Sequence, residues 1–261
     1  MGKKKSVPDY FNKYPTIAFD RTDNGILTVR LHSNNGPVVY AAQHHADWCG
    51  AFYDIGADSD NRIVILTGTG DEFMDQWGWD DPLESPFDWA KAAYEARRIL
   101  HNLLDIEVPV IGAVNGPATI HSELPVMSDI VLASTTATFQ DKVHIDMLGG
   151  VPGDGVDIVW KEVIGINRAR YFLMMNQSLS AQEALQLGVV NEVLEPNKLM
   201  PRAMEIANYL IDNVPRLTLR YTRAVMVQPY KRALVSQIES SLALEGLAFF
   251  DGVQANLELA E

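Results

Sequence analysis

Six histidines give this chain groups able to move protons at neutral pH: His32, His44, His45, His101, His121 and His144. An unperturbed imidazole titrates near pH 6.5, so a histidine held in a cleft can take or give a proton without large tuning. Three sit in informative settings. His144 stands ten residues before Asp154 in HIDMLGGVPGDG, His121 lies in AVNGPATIHSEL, and His45 follows His44. Neighbouring residues on a helix point about 100° apart, so at most one of the tandem pair is expected to face a site. Asp154, between two glycines, also suits a turn or a helix N-cap. His32 and His101 have no such context. The histidines show neither H-x-x-x-H nor H-x-H spacing, so the sequence points to no metal site. GTGDEF lacks the lysine of a phosphate loop, and no G-x-G-x-x-G follows a strand, so no cofactor is expected. Aromatic residues that could shape an apolar pocket cluster as Trp77, Trp79, Phe87 and Trp89, with Tyr40 upstream. Such a wall suits an uncharged ring compound.

The elements that must position these residues can be read from periodicity. Thr16 to His32 reads as two strands joined by Asp-Asn-Gly, a hairpin signal. Residues 41–57 carry Trp48, Phe52 and Ile55 at helical spacing. Ile63 to Gly68 and PVIGAV (109–114) are continuous apolar runs, as in strands buried on both faces. Residues 71–88, rich in Asp, Pro and Trp, read as a mobile loop over a site. An amphipathic helix follows over 88–106, with Asp88 as its N-cap. A second strand, DIVLAS, closes at Ser134. From Asp154 onward the chain reads as helices over 157–165, 167–175, 180–187, 197–213, 215–228 and 232–250. This pattern predicts an α/β fold with an N-terminal tail over 1–14, a core over 15–195 and a C-terminal helical region over 196–261.

Three motifs carry a resemblance to a known family. AVNGPATIHSELPVMSDIVLAS, RIVILTGTGDEF and SAQEALQLGVVNEVLEP resemble segments of the crotonase (enoyl-CoA hydratase/isomerase) superfamily. The resemblance implies repeated ββα units wound as a spiral core. It also implies C-terminal helices that pack on neighbouring subunits, in a homotrimer or a dimer of trimers. HSELPVMSDIVLA, ATFQD followed by His144, and VPGDG are similar to the β-diketone hydrolase (oxocamphor-hydrolase-like) group within that superfamily.

That resemblance implies a reaction. Enoyl-CoA hydratases hold a thioester oxyanion with two backbone N–H groups, one of them in a glycine run that reads Thr119-Ile120-His121 here. Bulky residues at those positions argue against a thioester site. The β-diketone group implies instead a His144–Asp154 dyad, in which Asp154 orients the imidazole and His144 deprotonates water; Asp146 is an alternative partner. The water attacks one carbonyl of a β-diketone, and the bond to the second carbonyl's α-carbon breaks to give an enolate. His121 and His45 would bind or protonate that enolate. Glu245, on the C-terminal helix, would bring a carboxyl to the same place. Trp77, Trp79, Phe87 and Tyr40 would bind the substrate. No metal or cofactor is implied. The rival reading is a coenzyme-A thioester enzyme with altered acid and base, for which Lys142 and Lys161 are the nearest basic residues.

Composition narrows the partners. The 261 residues are 47% hydrophobic and 21% charged, enough for one core. A net charge of −13 argues against nucleic acid and gives no pull toward an anionic coenzyme tail. One cysteine, Cys49, suits a reducing cytoplasm. MGKKKS has no apolar run behind it and is not expected to be a signal peptide; Gly2 and Ser6 fit a loose myristoylation pattern, more simply read as a solvated tail. No run of about 18 apolar residues is read, so no membrane span is expected.

Overall fold

The computed structural model describes residues 7–79, 81 and 83–260. Gly2 and Ser6 lie outside them. The main sheet is built from β1 (Ile17–Arg21), β2 (Ile26–Leu31), β4 (Ile63–Thr67), β6 (Val110–Val114), β7 (Ile130–Ser134) and β10 (Glu192–Leu194), side by side in that order. β1 and β2 form the expected antiparallel hairpin, and the remaining pairings are parallel. Every residue of β4 and β6 is buried, which is why both read as unbroken apolar runs. Alternate side chains serve two cores. Ile63, Ile65 and Ile111 face Leu199, Ala203 and Ala207 of α7 (Pro196–Asn213), while Val64, Leu66 and Val110 face the larger core.

Short pairings run beside the main sheet. β3 (Val39–Tyr40) pairs with β5 (Gln76–Trp77), and β8 (Thr138–Phe139) pairs with β9 (Leu179–Ser180). Single bridges from Met74 to Ala118 and from Ala118 to Phe139 link the two pairs. The turns that begin at β2 and β4 each give one strand to the main sheet and a short one to this second layer before a helix, and the turn at β6 gives the Ala118 bridge in its place, as in the expected ββα spiral.

α1 (Ala42–Ala57) and α2 (Pro86–Asp105) pack on each other. α2 begins earlier than expected: Ser85 is its N-cap, Pro86 follows, and Asp88 closes a capping box by accepting from Ser85 N at 2.9 Å. The chain continues through α3 (Glu123–Val126), a π-helical turn over Val143–Leu148, α4 (Val156–Ile164), α5 (Ile166–Met174) and α6 (Ala181–Gln186). After α7 come α8 (Arg216–Met226) and α9 (Gln228–Ala260).

Two expectations change. Residues 9–14, read as tail, dock on the core: Asp9–Asn12 form a 3-10 turn, and Tyr10 and Tyr14 are buried. The stretch from Arg216 to Asp251 is long and apolar enough to cross a membrane by length and composition. Leu234, Ile238, Leu242 and Glu245 nevertheless form one buried stripe at helical spacing, so α9 lies against the protein core.

Candidate active site

The site lies beyond the carboxyl ends of β4 and β6, where open α/β sheets usually place their ligands. The loop after β6 carries His121 at φ 47°, a left-handed conformation that glycine adopts freely and that is uncommon for other residues, asparagine, aspartate and histidine being the ones enriched there. The chain thus keeps the backbone shape of a glycine turn while adding an imidazole. His121 Nδ1 is 2.8 Å from Glu123 Oε1 and 3.4 Å from Asp154 Oδ2, and its Nε2 is 2.7 Å from the Tyr40 hydroxyl. Burial works against a charge on His121. The Glu123 carboxylate, its hydrogen bond and Asp154 outweigh burial and hold the imidazole up at about 9, so it is a cation at neutral pH. Burial in turn pushes the Glu123 carboxyl up, while His121 opposes that rise.

His144 stands at the start of the π-helical turn. Its Nδ1 is 2.7 Å from Asp141 Oδ1, and its Nε2 is 3.2 Å from Glu245 Oε1 and 3.7 Å from Asp154 Oδ2. The expected His144–Asp154 dyad is therefore rearranged: Asp141 holds Nδ1, and Asp154 stands with Glu245 beyond Nε2. Asp146, the other proposed partner, is exposed. Burial opposes charge on His144, but Asp154 and Asp141 outweigh it and keep its proton well above the ordinary imidazole range. Burial likewise pushes Glu245 up to about 7, against the pull of His144. His144 and His121 together hold Asp154 in its charged form below the usual range, despite burial.

Close packing sets these positions. A side chain at Gly153 would meet the Ser241 carbonyl at 2.4 Å, so only glycine lets this loop press against α9 and bring Asp154 beside Glu245. Gly155 has φ 112° and abuts Leu100 of α2. Burial of His45 on α1 lowers its tendency to take a proton; its Nδ1 is 2.9 Å from Glu95 Oε2. His44 is also buried, but turns away: Nδ1 accepts from Ala41 N and Nε2 meets Ser33 Oγ and the His32 carbonyl. Only His45 of the pair lines the cleft.

The cleft has a volume of about 720 Å³. Trp77 and Trp79 stack 6.0 Å apart, and Tyr40 packs against both, placed there by its register opposite Trp77 in β3–β5. Trp89, Leu242 and Phe249 continue the wall. Phe87, expected here, is 82% exposed and outside the cleft, because it sits in the first turn of α2 on the face opposite Trp89. No lysine or arginine lines the cleft among the described residues. Thr119 N and Ile120 N both donate to the Met74 carbonyl, so neither is free to hold a thioester oxyanion.

Sequence reasoning missed Asp141, Glu123 and Glu95 as imidazole partners. Asp141, three residues before His144, had the spacing of a helical pair. Glu95 had no local signal, since α1–α2 packing brings it to His45. The absence of a histidine spacing motif also hid the grouping of His121, Glu123 and Asp154, whose ligand atoms lie within 4.8 Å of one another.

Residues 21–249 match the family described as Enoyl-CoA hydratase/isomerase. The short-chain-enoyl-CoA hydratase of Clostridium acetobutylicum is 33% identical over 200 residues, covering 75% of this chain and 74% of its own. A probable peroxisomal enoyl-CoA hydratase of Arabidopsis thaliana is 34% identical over 206 residues, covering 78% and 76%. Among solved structures, a β-diketone hydrolase from the cyanobacterium Anabaena sp., bound to (S)-3-oxocyclohexyl acetic acid, superposes with a TM-score of 0.90 at 47% identity, over 95% of this chain and 99% of that one. An enoyl-CoA hydratase/isomerase from Mycobacterium paratuberculosis gives 0.80 at 25% identity, over 90% and 94%. This chain belongs to the enoyl-CoA hydratase/isomerase family, the crotonase superfamily.

Proposed function

We propose that the protein hydrolyses the carbon–carbon bond between the carbonyls of an uncharged cyclic β-diketone, giving a keto acid. The observation that carries this reading is the pairing of two histidine–carboxylate clusters with an aromatic wall, in a cleft where the described lining has no lysine or arginine. A neutral ring fits such a cleft, and a polyanionic coenzyme-A ester does not. The ligand of the cyanobacterial relative supports it. Joining the carboxyl carbon of that acid to the ring carbon α to its ketone, across the ring, regenerates a bicyclic 1,3-diketone with loss of water.

The geometry and electrostatics support one order of steps. In this reading the base is the carboxylate of Glu245: its Oε1 stands 3.2 Å from His144 Nε2, its Oε2 has no hydrogen-bond partner, and burial pushes the carboxyl up to about 7. Glu245 takes a proton from water as the oxygen adds to one carbonyl, beside the His144 cation. Collapse of the tetrahedral intermediate breaks the carbon–carbon bond, and the electron pair passes to the second carbonyl as an enolate. The His121 cation, 2.7 Å from the Tyr40 hydroxyl, stabilises that enolate. The proton on Glu245 returns to the enolate carbon, which leaves a ketone and a carboxylic acid.

Assembly as a homotrimer or dimer of trimers is part of the same reading. Its support is the exposed apolar set Ile166, Tyr171 and Met174 on α5, Tyr221 and Val225 on α8, and Leu244 and Leu247 on α9. A single half-buried cysteine supports a cytoplasmic setting.

The test is incubation with a bicyclic 1,3-diketone, followed by mass spectrometry for the ring-opened keto acid, with crotonyl-CoA in parallel. Keto acid from the diketone and an unchanged thioester are expected. Turnover of the thioester alone would overturn the reading in favour of a coenzyme-A enzyme.

A further inference from the structure

The cleft also holds donor atoms in a second arrangement. His121 Nδ1 faces Glu123 at 2.8 Å and Asp154 at 3.4 Å, and the three ligand atoms lie within 4.8 Å of one another. Bonds of about 2.1 Å from zinc to nitrogen and oxygen, at tetrahedral angles, hold ligand atoms roughly 3.4 Å apart. The 3.4 Å His121–Asp154 separation matches it, and the 2.8 Å His121–Glu123 hydrogen bond would open by about 0.6 Å to admit the ion. Two carboxylates converge on one N–H, which leaves acceptor capacity unused. Glu123 is only 1% exposed, yet its Oε2 is buried without a hydrogen-bond partner. That oxygen shares a carboxylate with the Oε1 that meets His121, so the orphan sits at the cluster itself.

The outer contacts fit the same arrangement. A metal-bound histidine usually gives its other nitrogen to a fixed partner, which sets the ring orientation. His121 Nε2 meets the buried Tyr40 hydroxyl at 2.7 Å. All three residues line the open cleft, so a fourth coordination position would face it; His144, 3.7 Å from Asp154 Oδ2, is a neighbouring imidazole that must share this carboxylate with the ion.

We propose that a zinc-class divalent ion binds His121 Nδ1, Glu123 and Asp154 and inhibits the enzyme. The Nδ1 lone pair forms the new bond, the Nδ1 proton leaves to solvent, and no electron is transferred. The bound ion pins the imidazole and fills the space beside it, so it competes with substrate. Magnesium, which prefers an all-oxygen octahedral shell, binds far more weakly. The binding half stands on the geometry alone; the inhibition half rests on the diketone reading above.

The test is calorimetric titration of chelator-treated full-length protein with zinc chloride, beside the visible spectrum of the cobalt(II) form. One ion per chain and cobalt bands of tetrahedral intensity are expected. His121→Asn, which retains a residue suited to φ 47°, and Asp154→Asn are each expected to weaken zinc at least tenfold and to remove the bands. Glu123→Gln is the substitute if either variant fails to fold. Zinc raises the apparent KM for the diketone, and EDTA reverses this. No binding, or binding and spectra unchanged in the variants, overturns the site. Binding without loss of activity overturns the inhibition. Site-specific zinc binding in a protein that cleaves no diketone would overturn the functional reading and the inhibition while leaving the metal site standing.

Discussion

Glu245 reaches from α9 to within 3.2 Å of His144 Nε2, and its second carboxylate oxygen has no partner. Burial pushes this carboxyl up to about 7, which matches the base to the pH at which it works. The diketone kcat/KM is expected to rise with pH through about 7 as Glu245 loses its proton. Glu245→Gln should remove that limb and lower kcat by roughly 10²- to 10⁴-fold. The stability effect has the opposite sign. A carboxyl raised in the folded state favours folding when protonated, so its contribution is full below about 4.5 and is lost as pH rises through about 7. Denaturant midpoints of the wild type should therefore fall over that window more than those of Glu245→Gln.

Asp141 meets His144 Nδ1 at 2.7 Å, and both side chains are buried. It touches His144 alone among the site residues described above, so its role is positioning: it fixes the ring and supports the charge on it. Asp141→Asn is expected to lower kcat roughly 10- to 100-fold with little change in KM. A far-UV spectrum like the wild type's would separate this from unfolding. An unchanged kcat would mean that Glu245 and Asp154 orient the ring without help.

The sequence made the histidines legible because imidazoles are few and chemically distinctive, and the β4 and β6 strands legible because burial on both faces favours unbroken apolar runs. Partners were harder. Nothing local ties Glu95 to His45; the contact exists because α1 and α2 pack together. The rearranged dyad depends on a π-helical turn, which shifts side-chain directions away from ordinary helical expectation. Phe87 was misplaced by a helix start. With Ser85 as the cap instead of Asp88, Phe87 falls in the first turn and points to solvent.

That register gives a paired test. Trp79 stacks on Trp77 and packs against Tyr40 at the cleft wall, whereas Phe87 is 82% exposed. Trp79→Ala should raise the KM for a cyclic diketone by roughly tenfold or more, from the aromatic contact area it removes. Phe87→Ala should leave both KM and kcat close to wild type. Equal effects of the two variants in steady-state kinetics would mean that the wall is not where the ring binds.

His121 sets a backbone cost against an electrostatic gain. Its left-handed backbone costs about 1 kcal/mol relative to glycine. Its imidazolium is also the partner of Glu123 Oε1 and the nearer neighbour of Asp154 Oδ2, both buried carboxylates. Leaving a buried charge without its partner costs about 3 to 5 kcal/mol. His121→Gly relieves the backbone cost and leaves Glu123 without its partner, while Asp154 keeps His144 at 3.7 Å; the loss at Glu123 outweighs the relief. The variant is expected to unfold at lower denaturant than the wild type at pH 7, by about 2 to 4 kcal/mol in stability. Adding Glu123→Gln to it removes one unpaired charge and should recover part of the loss. A His121→Gly variant as stable as the wild type would mean that the histidine contributes nothing to folding beyond occupying a glycine's conformation.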